Sequence, residues 1–231
     1  MASSEGSRPE ILLVHGAWHG SWCWRAVEPL LTADGWNVST VDLPSAADNG
    51  GLAGMYDDAE VIRERLAAAD GTVAVVAHSY GGVPTSQVAA EAGNVSQLVY
   101  LAAHMLEVGE SVASSVTWGL PTEGVLPPPP AREALFADLS DEEAAWAEAQ
   151  LVPQSIRAFT EPLTTAAWKT IPSAFVRCEK DQIFPPVLDE RAHERAGAVY
   201  RLPSSHSPFL SMPKELAALI GRIVGTAPGD R

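Results

Sequence analysis

Residues 72–82 read Thr72-Val73-Ala74-Val75-Val76-Ala77-His78-Ser79-Tyr80-Gly81-Gly82. The first six are a short run, apolar after the threonine, of the kind that suits a strand buried on both faces of a parallel sheet. A sharp turn follows, in which a serine is flanked two residues away by Ala77 and Gly81. Small side chains at those positions leave room for a tight strand-to-helix connection. Residues 80–92 then read as a helix, because Pro84 falls in a first turn where proline is tolerated.

The same alternation extends outward from this stretch. Apolar runs at Ile11–Val14, Asn37–Val41, Gln97–Ala102, Pro172–Cys178 and Ala198–Leu202 predict five more strands. Segments 24–34, 57–69, 186–197 and 213–224 carry helical spacing, for example Val61, Ile62 and Leu66 on one face. Six strands alternating with helices predict an α/β fold with a doubly wound, mostly parallel six-stranded sheet. The rhythm breaks over 105–170, which holds Pro127 to Pro130, an acidic helix near 140–151 and scattered tryptophans. That segment reads as an inserted helical lid within a single domain of 1–231. The proline run could instead serve as a polyproline ligand for another protein, but a stiff lid connection is sufficient.

Composition narrows the function classes. The chain has 231 residues, 46% hydrophobic and 19% charged, with a formal net charge of −14. That acidity, without any Lys/Arg cluster, argues against nucleic acid and polyanionic partners. Two distant cysteines, Cys23 and Cys178, make no disulfide framework or zinc site. The N-terminal stretch has no signal-peptide pattern. No apolar run approaches the roughly 18 residues that span a bilayer. The expectation is a cytoplasmic protein off the membrane, with a homodimer left open as an assembly state.

In a parallel sheet every strand ends on one edge, so the loops that follow share a crevice. Ser79 lies in such a loop, where the following helix aims its N-terminal amides at developing negative charge. A serine hydroxyl needs a base with a pKa near the working pH. His206, in Ser204-Ser205-His206-Ser207-Pro208 after the last strand, is placed for that role. Asp181, in Glu179-Lys180-Asp181-Gln182-Ile183-Phe184-Pro185, can hold the imidazole tautomer. Glu179 and Glu107 are rival acids. Acyl transfer also needs two backbone donors for the oxyanion. Tyr80, after the serine, supplies one, and Ala17 in Val14-His15-Gly16-Ala17-Trp18-His19-Gly20 the other. His15 and His19 flank a glycine-rich turn rather than one helix face, so no metal is assigned. His78 and His104 read as packed or hydrogen-bonded at the crevice. No strand is followed by G-x-G-x-x-G, and no cofactor is expected.

Four segments, VHGAWHGSWCW (14–24), HSYGG (78–82), KDQIFP (180–185) and SHSPFLS (205–211), resemble the plant methylesterase and hydroxynitrile-lyase branch of the α/β-hydrolases and its bacterial esterase relatives. The resemblance covers nearly the whole chain and is weakest in the lid. Hydroxynitrile lyases of this branch carry a lysine directly after the histidine and a threonine in the first glycine-rich turn. This chain has Ser207 and Gly16 there, as the esterase members do. The resemblance therefore implies hydrolysis of a small-molecule ester through an acyl-enzyme on Ser79. Gly16, Trp18, His104, Trp118, Trp146, Trp168 and Phe209 are the expected substrate-binding residues, giving a mostly apolar pocket for a small or medium, uncharged acyl group. A lyase-type reaction on the same three residues, or a small-molecule-binding protein on a hydrolase scaffold, are the competing readings.

Overall fold

The computed structural model describes residues 8–47, 52–116 and 119–226. The chain runs β1 (Glu10–Val14), α1 (Glu28–Ala33), β2 (Val38–Val41), α2 (Met55–Ala67), β3 (Val73–His78), α3 (Gly82–Ala92) and β4 (Val95–Leu101). An insertion follows, with α4 (Val112–Ser115), β5 (Val125–Leu126), α5 (Ala131–Ala134), α6 (Asp141–Glu148), β6 (Gln154–Ser155) and α7 (Ile156–Thr160). The alternation then resumes with β7 (Ser173–Cys178), α8 (Pro186–Arg195), β8 (Ala198–Leu202), α9 (Pro208–Ser211) and α10 (Pro213–Gly225).

Six strands form one sheet in the order β2-β1-β3-β4-β7-β8, and all of its pairings are parallel. Alternate side chains of one strand enter opposite cores, as the two-residue strand period requires. Leu12 and Val14 of β1 pack with Ile62 and Leu66 of α2 and Val83 and Val88 of α3. Ile11 and Leu13 pack on the other face with Leu31 of α1 and Leu216, Ile220 and Ile223 of α10. Covering both faces leaves β3 buried along its whole length, which is why its sequence shows a continuous apolar run instead of alternation.

Two elements differ from the sequence reading. Segment 24–34 is not one helix: Ser21–Trp24 forms a 3-10 turn and α1 begins at Glu28. Pro29 sits in the first turn of α1, where a missing N–H does no harm and where the helix starts most easily. The insertion is also not wholly helical. Val125 and Leu126 pair antiparallel with Ser155 and Gln154, and the proline run that follows directly cannot extend the ladder. No helix among the described residues is long and apolar enough to cross a membrane.

Candidate active site

Strand order reverses around β1, whose neighbours are β2 and β3. At such a switch point the connections leave in opposite directions and open a crevice at the carboxyl ends of the strands. The loop after β1 meets the turn after β3 in this crevice. Ser79 has φ +51, in the left-handed region. A non-glycine residue held there is strained and persists only because its surroundings enforce it. The close approach explains the nearby glycines. A Cβ on Gly81 would lie 2.4 Å from the His15 carbonyl oxygen, and one on Gly16 would lie 2.9 Å from the Ser79 Cβ.

The other two residues arrive from the far side of the sheet. His206 follows β8 and is buried. Its Nδ1–H donates to Asp181 Oδ2 at 2.6 Å. Because a carboxylate only accepts, this contact places the proton on Nδ1 and leaves Nε2 as the acceptor. The other oxygen of Asp181 accepts the amides of Ile183 and Phe184, both at 2.9 Å. Burial pushes the Asp181 carboxyl upward, but the charge and hydrogen bond of His206 and the two amides outweigh it and hold the group below the usual carboxylate range. The rival acids are engaged elsewhere, Glu179 facing Arg201 and Glu107 facing Lys169 and Arg195. Backbone bonds from Glu179 to Leu202 and from Lys180 to Ser204, both 2.9 Å, tie the Asp181 and His206 loops together.

Ser79, Tyr80, Ala17, Trp18, His104 and His206 line one cavity. Val112, Val116, Phe159, Ile183, Phe184 and Pro185 complete the wall. Three of the anticipated aromatics are not among the described residues that line it. Trp146 packs edge-on against Trp22 beneath the Arg25 guanidinium. Trp168 donates its indole N–H to the Leu106 carbonyl at 2.9 Å and lies under Arg195 and Lys169. Phe209 is fully buried against Trp24 and His78. Each satisfies its apolar area in a core, as most buried aromatics do. Gly16 touches the turn that carries Ser79 rather than the lining. Trp118 lies outside the described residues.

Four further histidines, His15, His19, His78 and His104, are buried, and burial pushes each below its ordinary value. His15 Nδ1–H donates to the Gly16 carbonyl at 2.8 Å, and its Nε2 accepts from the Leu43 amide at 2.9 Å. His78 Nε2–H donates to the His206 carbonyl at 2.9 Å and so braces the loop that carries it. Burial pushes His19 down to about 3 and His104 down to about 4, with the nearby His206 adding to both shifts and the Ala17 carbonyl partly opposing that of His19. The buried Nδ1 of His104 has no hydrogen-bond partner.

Residues 11–219 match the model of the alpha/beta hydrolase family. The chain belongs to that family. Among its relatives is a probable hydrolase, R7, of the fungus Phoma, 31% identical over 95% of this chain and 99% of the relative. The crystal structure of the methylesterase MES16 of Arabidopsis superposes with a TM-score of 0.79 at 27% identity, covering 94% of this chain and 99% of that one. A pyrethroid hydrolase structure from Sphingobium faniae gives 0.80 at 27% identity, covering 96% and 99%. This α/β hydrolase is accordingly a carboxylic ester hydrolase by class.

Sequence reasoning missed the lining residues Val112, Val116 and Phe159 because the insertion has no periodicity to orient them. Ile183, Phe184 and Pro185 carried a usable signal, since they lie within four residues of Asp181 and its carboxylate binds two of their amides. Asp138 was missed altogether. Its carboxylate accepts the Ser205 amide at 2.7 Å and the Ser205 hydroxyl, anchoring the insertion to the residue before His206.

Proposed function

We propose that this α/β hydrolase cleaves small to medium, uncharged, apolar esters through an acyl-enzyme on Ser79. The observation that carries this reading is the strained Ser79 sharing one cavity with His206, whose Nδ1–H is held by Asp181 at 2.6 Å. Ser79 Oγ attacks the ester carbonyl carbon while His206 Nε2 takes the hydroxyl proton. The carbonyl oxygen becomes an oxyanion and accepts hydrogen bonds from the amides of Ala17 and Tyr80. Collapse of the tetrahedral species breaks the bond to the alcohol, which leaves with the proton from His206. Water then attacks the acyl carbon and gives a proton to His206; the second tetrahedral species breaks its bond to Ser79 Oγ, which takes that proton back as the acid leaves. Asp181 holds the imidazole and stabilises its charged form throughout.

The walls support the substrate class. Aliphatic and aromatic side chains dominate the lining, and among the described residues its only titratable rings are the imidazoles of His104 and His206 and the phenol of Tyr80. A second, apolar trough formed by Leu126, Pro127 and Pro129 shares Trp18 and Ile183 with the cavity. It offers space for the second arm of an ester whose carbonyl sits at Ser79. The proline run thereby acts as a stiff wall, and 105–170 serves as the lid of a single domain. The names of the relatives, a methylesterase and a pyrethroid hydrolase, fit ester chemistry.

A fluorophosphonate probe tests the reading against Ser79→Ala, with p-nitrophenyl acetate turnover followed in both. Stoichiometric labelling and turnover in the wild type, both abolished by the substitution, are expected. A folded wild-type protein that neither labels nor turns over would bring the binding-protein reading forward. Preference for charged acyl groups across an ester panel would remove the apolar-substrate reading.

A further inference from the structure

One carboxylate, that of Asp58, lies in the core with no cation beside it among the described residues. Asp58, on the first turn of α2, is fully buried, as are Ser45 and Gln154. Tyr80 O–H donates to Asp58 Oδ2 at 2.5 Å, and the Ser45 hydroxyl donates to the same oxygen at 2.5 Å. The Ser45 amide donates to Oδ1 at 2.9 Å. Gln154 Nε2 donates to the Ser45 hydroxyl at 2.6 Å, and Gln154 Oε1 accepts the Trp18 amide at 3.1 Å. A continuous chain thus runs Tyr80–Asp58–Ser45–Gln154–Trp18.

The ends of this chain are notable for what they adjoin. Tyr80 carries one proposed oxyanion donor, and Trp18 immediately follows Ala17, which carries the other. Trp18 has φ +64, a conformation that a bulky residue adopts only under constraint. Three of its polar groups bind the insertion: the amide to Gln154, the carbonyl to the Val152 amide at 3.0 Å, and the indole N–H to the Leu126 carbonyl at 3.1 Å. A buried polar network fixes geometry only when its members are satisfied, and a carboxylate retained in a dry core at a net energetic cost needs a reason. Burial pushes Asp58 up to about 6 despite the hydrogen bonds of Ser45 and Tyr80, which is the mark of that cost.

We propose that Asp58, Ser45 and Gln154 are positioning residues that set the spacing between the Ala17 and Tyr80 amides and so build the oxyanion hole. The inference rests on the Ser79 acyl-enzyme reading above. It makes the insertion a structural part of the catalytic centre as well as its cover, because Gln154 is the link that reaches Trp18. An oxyanion hole has to fit the tetrahedral oxyanion more closely than the planar ester. Loosening the chain should therefore slow chemistry and leave ground-state binding nearly unchanged.

Tyr80→Phe breaks one end of the chain and Gln154→Met, close in volume, breaks the other. Each is expected to lower kcat by roughly ten- to a hundred-fold, a fraction of the ~10²–10³ that loss of a whole oxyanion donor brings, with KM within about two-fold. Affinity for a boronic acid, which forms a tetrahedral adduct on the serine, should fall in step with kcat. The double variant should be little worse than the poorer single, because both cuts sever one unit. Asp58→Asn should recover most of the activity lost in Asp58→Ala, since an amide can still bind Ser45 and Tyr80. Circular dichroism and melting curves identify any variant that fails to fold, and Ser45→Ala then replaces it as a cut in the middle of the chain. Folded variants with unchanged kcat and boronate affinity, or with losses confined to KM, overturn the inference while an active wild type keeps the Ser79 reading. Absence of wild-type turnover and labelling overturns both.

Discussion

A single methyl group probes the turn that carries Ser79. The Cβ of an alanine at 81 would sit 2.4 Å from a backbone oxygen of β1's loop, which has no rotamer by which to move away. Overpacking of this kind typically destabilises by about 1–3 kcal/mol. In a chain of this size that corresponds to a fall in Tm of about 2–12 °C. Gly81→Ala should therefore lose both stability and esterase turnover, whereas Gly71→Ala, with nothing within 4 Å, should lose neither. Equal melting temperatures for the two variants would show that the turn is not sterically enforced. The need for a small residue at 81 was legible from the spacing around Ser79, but the atom it must avoid was not. The aromatics show the limit more sharply. Trp18, Trp146, Trp168 and Phe209 look alike as burial signals, yet only Trp18 lines the cavity. A large apolar side chain announces that it will be buried; which surface buries it depends on contacts distant in sequence.

Elements were legible to the extent that one dominant force shaped them. The sheet strands and the longer helices are set by a core on each face, and their apolar periodicity records it. Helix starts were less so: proline moved α1 and left a 3-10 turn before it. The insertion was least legible, because short segments there are held by individual polar contacts that leave no period. Asp138 is the clearest case. It lies between α5 and α6 and accepts both the amide and the hydroxyl of Ser205, immediately before His206. Asp138→Ala would leave that amide without its acceptor and let the His206 loop drift from Asp181 and the cavity. We expect kcat/KM to fall about ten-fold, since small misplacements of a positioned group are expensive in rate. Asp138→Asn, which still accepts the Ser205 amide, should lose less. If Asp138→Ala turned over like the wild type, the His206 loop would have to be held by the β7–β8 connections and His78 alone.

At the scale of the whole molecule, the crevice that gathers Ser79, Asp181 and His206 also concentrates buried ionisable groups, and this should govern acid stability. His15, His19, His78 and His104 are held neutral by burial, against the ordinary value of 6.5. In the unfolded chain they take up protons below about pH 6.5, while the folded chain refuses them, so stability is lost as pH falls through that range. At pH 5 the gap is about 1.5 units for a histidine whose folded value lies lower still, or about 2 kcal/mol each. His19, at about 3, and His104, at about 4, together withdraw about 4 kcal/mol by this arithmetic. His15 and His78 act in the same direction. Asp58 opposes them. Its folded value, about 6, lies above its unfolded one, so the fold regains stability as pH falls through 6. From pH 7 to 5 that recovers only about 1.4 kcal/mol. Asp181, held below the usual range, withdraws its share only at still lower pH. The histidines therefore win. Against a typical total of about 5–15 kcal/mol, the urea midpoint should fall steeply between pH 6.5 and 5. Replacing His104 by Asn should flatten that slope by up to one proton while changing stability at pH 7.5 much less. A midpoint that stayed level or rose on acidification would mean that these rings gain protons inside the fold, and the neutral, desolvated crevice would have to be abandoned.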